Sequence, residues 1–80
     1  MAQINLDGAR PLYLQVADDL EAQIADGTIP RGGRVPSATQ ICDTYDVSRR
    51  TANEALRVLR DKGLVHGVVG RGTFVVEQDD

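Results

Sequence analysis

The sequence predicts a mainly α fold with a small β hairpin, a winged helix-turn-helix of three helices plus a two-stranded wing. Three observations predict it. Apolar residues recur at helical spacing as far as Gly63 and alternate at strand spacing after it. Two serines, Ser37 and Ser48, stand at the heads of consecutive short helical segments with a tight connection between them. Glycines at 70 and 72 flank Arg71 between two strand-like runs, which reads as a hairpin turn. The 80 residues form one domain, since a second autonomous core would need several dozen more. Residues 1–9 are a lead segment, with Ile4 and Leu6 at strand spacing, and residues 77–80 are an acidic tail.

Each element has a local cause. Pro11 suits the first position of a helix, where its missing N–H is an orphan in any residue. Leu12, Val16, Leu20 and Ile24 follow at steps of four, with Tyr13 and Ala17 on the same flank, and Gly27 is a left-handed stop. Thr28 to Pro36 holds two prolines and two glycines and reads as a loop or a short extended segment. Ser37 with Gln40 three residues later is a capping box for a second helix of about two turns, with Ile41, Cys42 and Tyr45 on its buried side. Asp46-Val47-Ser48 is the tight turn. Ser48 caps a third helix running over about 49–62, with Ala52, Ala55, Leu56 and Leu59 as its apolar face and Gly63 as its end. Leu64 to Val68 and Thr73 to Val76 are the strands of the hairpin, and 68–74 is the projecting wing.

Composition excludes several classes. The chain is 41% hydrophobic and 26% charged, the balance of a folded domain rather than a disordered tail. One cysteine and one histidine, Cys42 and His66, make neither an internal disulfide nor a zinc site, so no metal or cofactor is expected. Cys42 is expected in the core and His66 on the surface. No apolar run is long enough to span a membrane and the N-terminus has no signal pattern, so the expected location is the cytoplasm. No nucleophile–histidine pattern or phosphate loop points to an enzyme. Nine basic against twelve acidic residues give a net charge of −3, which taken globally argues against nucleic acid. The distribution argues otherwise. Residues 1–30 carry −4 and the tail −3, whereas residues 31–73 carry +4, an asymmetry that points to a basic face within residues 31–73.

Several segments resemble GntR-type transcription regulators. They are Pro11-Leu12-Tyr13-Leu14-Gln15-Val16-Ala17, Val35-Pro36-Ser37, Val47-Ser48-Arg49-Arg50-Thr51, Glu54-Ala55-Leu56, and Gly63-Leu64-Val65 followed by Gly70-Arg71-Gly72-Thr73-Phe74-Val75. The likeness runs in register from about Asp7 to Val76 and is greatest to the HutC and YtrA branches. It implies a DNA-binding domain whose third helix enters the major groove while the wing reaches the adjoining minor groove, and the leading expectation is a sequence-specific transcription repressor. Typical members continue into a second domain that binds a small effector and dimerises. This chain stops at the wing, so no small-molecule effector is expected for it alone. Its Met start and acidic tail fit a complete gene product slightly better than a cut-down one.

The candidate contacts follow from chemistry. Arg49 and Arg50 open the third helix, where the helix dipole disfavours cations unless an anion comes to meet them, and arginine binds guanine O6 and N7 in bidentate fashion. Ser37, Ser48 and Thr51 offer hydroxyls and helix-start N–H groups to phosphate, in addition to capping. Asn53, one turn on, can read adenine, and Thr39 lies at the start of the second helix. Both replace arginines usual in the family, while Arg50 replaces a small residue, so the operator sequence is not carried over from relatives. Gly70, Arg71 and Gly72, with Thr73 beside them, form the minor-groove contact. Gly67-Val68-Val69 stands where relatives are often basic. Arg34 and Arg57 are candidates for phosphate, each equally well explained as a solvated surface residue. The expected partner is double-stranded DNA bearing an inverted repeat, bound by a homodimer that forms at least on DNA. The alternative is a winged-helix protein–protein interaction module without specific DNA binding.

Overall fold

The computed structural model describes residues 10–77; the lead segment and the last three residues of the tail lie outside the described residues. Helix α1 spans Leu12–Ala25, α2 spans Ala38–Tyr45 and α3 spans Arg49–Asp61. Strands β1 (Val65–Val68) and β2 (Gly72–Val75) form an antiparallel hairpin with Val65 opposite Val75 and Val68 opposite Gly72. This is the predicted winged helix-turn-helix.

Pro11 sits one position earlier than expected, at the N-cap of α1, where its carbonyl accepts from Leu14 N at 3.0 Å and Gln15 N at 3.2 Å. Leu12 was expected on the core face but is 37% exposed. Burial begins one turn later, at Val16 and Ala17, so the first turn overhangs the core. Gly27, at φ 87°, turns the chain out of α1, and the Asp26 carboxylate accepts from the Thr28 N–H at 2.8 Å and its hydroxyl at 2.7 Å. Those two donors hold the Asp26 carboxyl below its ordinary pKa.

The segment after α1 does more than connect. Ile29 and Val35 are both buried in the core. Gly32 N donates to Val75 O at 3.1 Å, Val75 N to Gly33 O at 2.9 Å and Val35 N to Thr73 O at 2.8 Å, with Arg34 bridged to Phe74. A short extended stretch therefore covers the outer edge of β2, which would otherwise expose unpaired backbone groups.

In α2 both halves of the capping box are present: Gln40 N donates to Ser37 Oγ at 3.2 Å and Ser37 N to Gln40 Oε1 at 2.9 Å. Ile41 is fully buried, whereas Cys42 is only half-buried, against the expectation of a core cysteine. One residue further round the helix is ~100° of rotation, which carries its thiol to the edge of the contact. The C-cap Asp46 adopts the left-handed region at φ 57°. In α3 Ala52, Ala55, Leu56 and Leu59 are buried, as expected, and the helix packs on α1 and α2. Two alanines in that stripe let the helix axes approach closely. Lys62 and Gly63, the latter at φ 76°, end α3, and Lys62 Nζ pairs with Glu21 Oε1 of α1 at 2.8 Å. No helix among the described residues is long and apolar enough to cross a membrane.

Candidate nucleic-acid interface

The two capped helix starts meet. The Arg49 guanidinium, on the first residue of α3, donates through Nη2 to Thr39 Oγ1 in the first turn of α2 at 3.1 Å. Ser48 Oγ accepts from Thr51 N at 3.1 Å and donates to Thr51 Oγ1 at 3.1 Å. The caps satisfy one N–H in each helix, and the earlier ones, of Ala38 and Thr39 and of Arg49 and Arg50, have no acceptor within their helix. Ser37, Thr39, Ser48, Arg49 and Arg50 are all exposed, so hydroxyls, free donors and two cations share one accessible corner. Thr51 is half-buried and occupied by the cap.

From that corner an exposed strip runs along α3 through Asn53 and Arg57, on the side away from the buried alanines and leucines. The two arginines at its head are held differently. Arg49 rests on a neutral hydroxyl rather than on a carboxylate. Arg50 Nε stands 3.6 Å from Glu54 Oε2, with its side chain 87% exposed. Sequence reasoning missed that restraint, although the i, i+4 spacing of Arg50 and Glu54 signals it. The order, with the cation nearer the helix N-terminus, is the weaker one, so Arg50 is loosely held.

On the wing, Arg71 N donates to Val68 O at 2.9 Å across a turn that needs Gly70 at φ 78°, the positive value of the third position of a type II turn. Gly70 and Arg71 are exposed at the tip, while Gly72 and Thr73 are half-buried in the stem, where the Thr73 carbonyl holds Val35 N. Gly72 has φ 120°, and a methyl group there would stand 3.0 Å from Arg34 Nε. The Arg34 guanidinium therefore lies against the strand of the wing at Gly72, beside the turn. Val69 at the tip is completely exposed, a projecting apolar side chain that sequence reasoning did not single out as a contact. His66 is exposed on β1, as expected.

Among the described residues no three His, Cys, Asp or Glu side chains are grouped to hold a metal ion. A groove of about 590 Å³ lies elsewhere, between the end of α1, Gly63-Leu64 and Val75-Val76, and none of the candidate contact residues lines it.

Comparison with known proteins bears on this arrangement. Residues 12–75 match the family described as bacterial regulatory proteins, gntR family. The mannosyl-D-glycerate transport/metabolism system repressor MngR of Escherichia coli K12 is 37% identical over 71 residues, 89% of this chain and 30% of that protein. The histidine utilization repressor of Pseudomonas putida is 41% identical over 71 residues, 89% of this chain and 29% of that protein. The chain thus spans about 30% of the length of these curated relatives. Among solved structures, the DNA-binding domain of AraR in complex with operator ORR3 superimposes with a TM-score of 0.81 at 29% identity, covering 95% of this chain and 92% of that one. With the family matched over nearly all the described residues, on three helices closed by a hairpin, this chain belongs to the gntR family of bacterial regulatory proteins and has the winged helix-turn-helix fold of its DNA-binding domains.

Proposed function

We propose that this domain binds DNA sequence-specifically and serves as the operator-reading part of a transcriptional repressor. The observation that carries the reading is the corner where Arg49 meets Thr39, because it turns two helix starts and an exposed polar strip toward the same partner. The relatives named as repressors and the operator complex of AraR support it.

Thirteen residues make α3 about 20 Å long, and the major groove, ~12 Å wide, admits a helix. With its N-terminus lowest in the groove, Arg49 addresses guanine O6 and N7 and Asn53 addresses adenine N6 and N7. Ser37, Ser48 and Thr51, with the free helix-start N–H groups, face the flanking phosphates, while Thr39 stands against Arg49. Arg50 leaves Glu54 for a phosphate or a base. The wing tip, Gly70, Arg71, Gly72 and Thr73, enters the minor groove, and Arg34, against Gly72, follows the backbone beside it. Two copies on an inverted repeat would place their recognition helices ~34–36 Å apart, one turn of DNA. Control then comes from protein level or from parts of the protein outside this domain, and the site of action is the cytoplasm, on the nucleoid.

The test is fluorescence anisotropy of the purified chain with duplex from upstream of its own gene, beside scrambled duplex, at low and physiological salt. The expected result is preference for the upstream duplex with affinity falling steeply with salt through counterion release. Absence of binding to either duplex at low salt refutes the reading and leaves a protein-interaction module.

A further inference from the structure

We propose that Thr39 is a positioning residue: it aims the Arg49 guanidinium, and thereby sets which base pair the third helix discriminates. The inference rests on the DNA-reading function above. An arginine on the first residue of an exposed helix has many rotamers, and a bidentate contact needs one of them. Among the described residues the only polar partner of the Arg49 side chain is Thr39 Oγ1, at 3.1 Å. The hydroxyl is neutral, so it fixes direction without cancelling charge. It takes one of the five guanidinium N–H donors, leaving a parallel pair for guanine. Arg50, by contrast, is drawn to a carboxylate and held only loosely.

Thr39 is itself well held. It lies in the first turn of α2, between Ser37 and Gln40, whose reciprocal hydrogen bonds lock that turn. Its β-branch restricts χ1 to few rotamers. The acceptor is thus part of a rigid platform ten residues upstream of the arginine it serves.

The experiment selects duplexes from a randomised library with the wild-type chain and identifies the base pair whose preference disappears in Arg49→Ala. Anisotropy then compares wild type, Thr39→Val and Thr39→Ser on duplexes varied at that pair, with melting temperature and salt dependence measured alongside. Thr39→Val, which keeps shape and charge, is expected to lose about three- to tenfold in discrimination there, within the range one bidentate contact supplies. Its melting temperature and salt slope should stay as in wild type, and Thr39→Ser should recover most of the discrimination. Full discrimination in Thr39→Val overturns the proposal. A uniform loss on every duplex with a shallower salt slope also overturns it, because Thr39 is then itself a phosphate ligand. A wild-type chain that selects no motif refutes the DNA-reading function, and the proposal falls with it.

Discussion

Replacing Tyr45 by Phe removes a single oxygen from the junction of α1 and α2. That hydroxyl donates to Asp19 Oδ2, and Gln23 Nε2 donates to the same carboxylate oxygen at 3.3 Å and to the tyrosine oxygen at 3.4 Å. The group ties the middle of α1 to the last turn of α2. A hydrogen bond to a charged acceptor contributes ~1.5–3 kcal/mol when well buried. Here the site is half-buried and solvent screens it, so about 1 kcal/mol is expected for Tyr45→Phe. In a domain of this size that loss lowers the melting temperature by roughly 4–8 °C.

The same contact has a pH signature. Burial first, then the hydrogen bond and charge of Asp19, push the Tyr45 hydroxyl up to about 12, with the Gln23 donor acting the other way. The folded value therefore lies above the unfolded one of ~10. Folding favours the protonated phenol, so the contribution is complete below pH ~10 and disappears as pH rises towards 12. Thermal unfolding followed by circular dichroism, for parent and Tyr45→Phe at neutral pH and at roughly pH 11, reads both effects. The gap between the two proteins should narrow at the higher pH. A Tyr45→Phe melting temperature within about 1 °C of the parent, or a gap that does not change with pH, refutes the reasoning.

The other predictions concern the interface and the core. Arg49→Ala should reduce preference for the selected operator by tenfold or more, within the ~1–3 kcal/mol of one bidentate contact, while binding to scrambled duplex falls much less; anisotropy measures both. Glu54→Gln should free Arg50 and tighten binding to any duplex, with the log–log salt slope steeper by about 0.9 if one more phosphate is engaged. Gly72→Ala forces a side chain into φ 120° and against Arg34, so the melt should show a loss of at least ~1 kcal/mol, unlike an alanine at exposed Gly67, where nothing stands within 4 Å. Leu59→Ala empties a fully buried position under α1 and should cost ~2–5 kcal/mol by urea unfolding.

The candidate interface was legible in the sequence wherever it depends on helix starts. Ser37 with Gln40 and Ser48 mark where α2 and α3 begin, and a residue's place in the first turn decides whether it can face a groove. The exposure of Arg49, Arg50 and Asn53 followed from the apolar stripe on the other side of α3. For Arg34 the sequence is compatible with phosphate contact and with plain solvation alike. Only the pairing of residues 32–35 with β2 brings its guanidinium against Gly72 and so onto the wing. The proline- and glycine-rich stretch concealed two core residues, Ile29 and Val35, because neither belongs to a periodic pattern. Cys42 went the other way. It stands ~100° round α2 from Ile41, so it packs against the edge of the core and is only partly buried, while Ile41 is enclosed.

The sequence by itself determined the elements, their ends and the hairpin, because a cap, a left-handed glycine and an apolar period act within one turn of chain. It also determined that the basic charge gathers on the second half. The tertiary structure alone decided which side chains meet across elements. Thr39 and Arg49 are ten residues apart, and Asp19 and Tyr45 twenty-six apart. Each pair forms because α1 and α2 both pack on α3 at particular angles. Those angles come from how a whole buried set fills the space between helices, with Ala52 and Ala55 allowing close approach and Leu20, Ile41 and Leu59 filling the remainder. No local signal carries that information, since each residue's contribution to it depends on all the others.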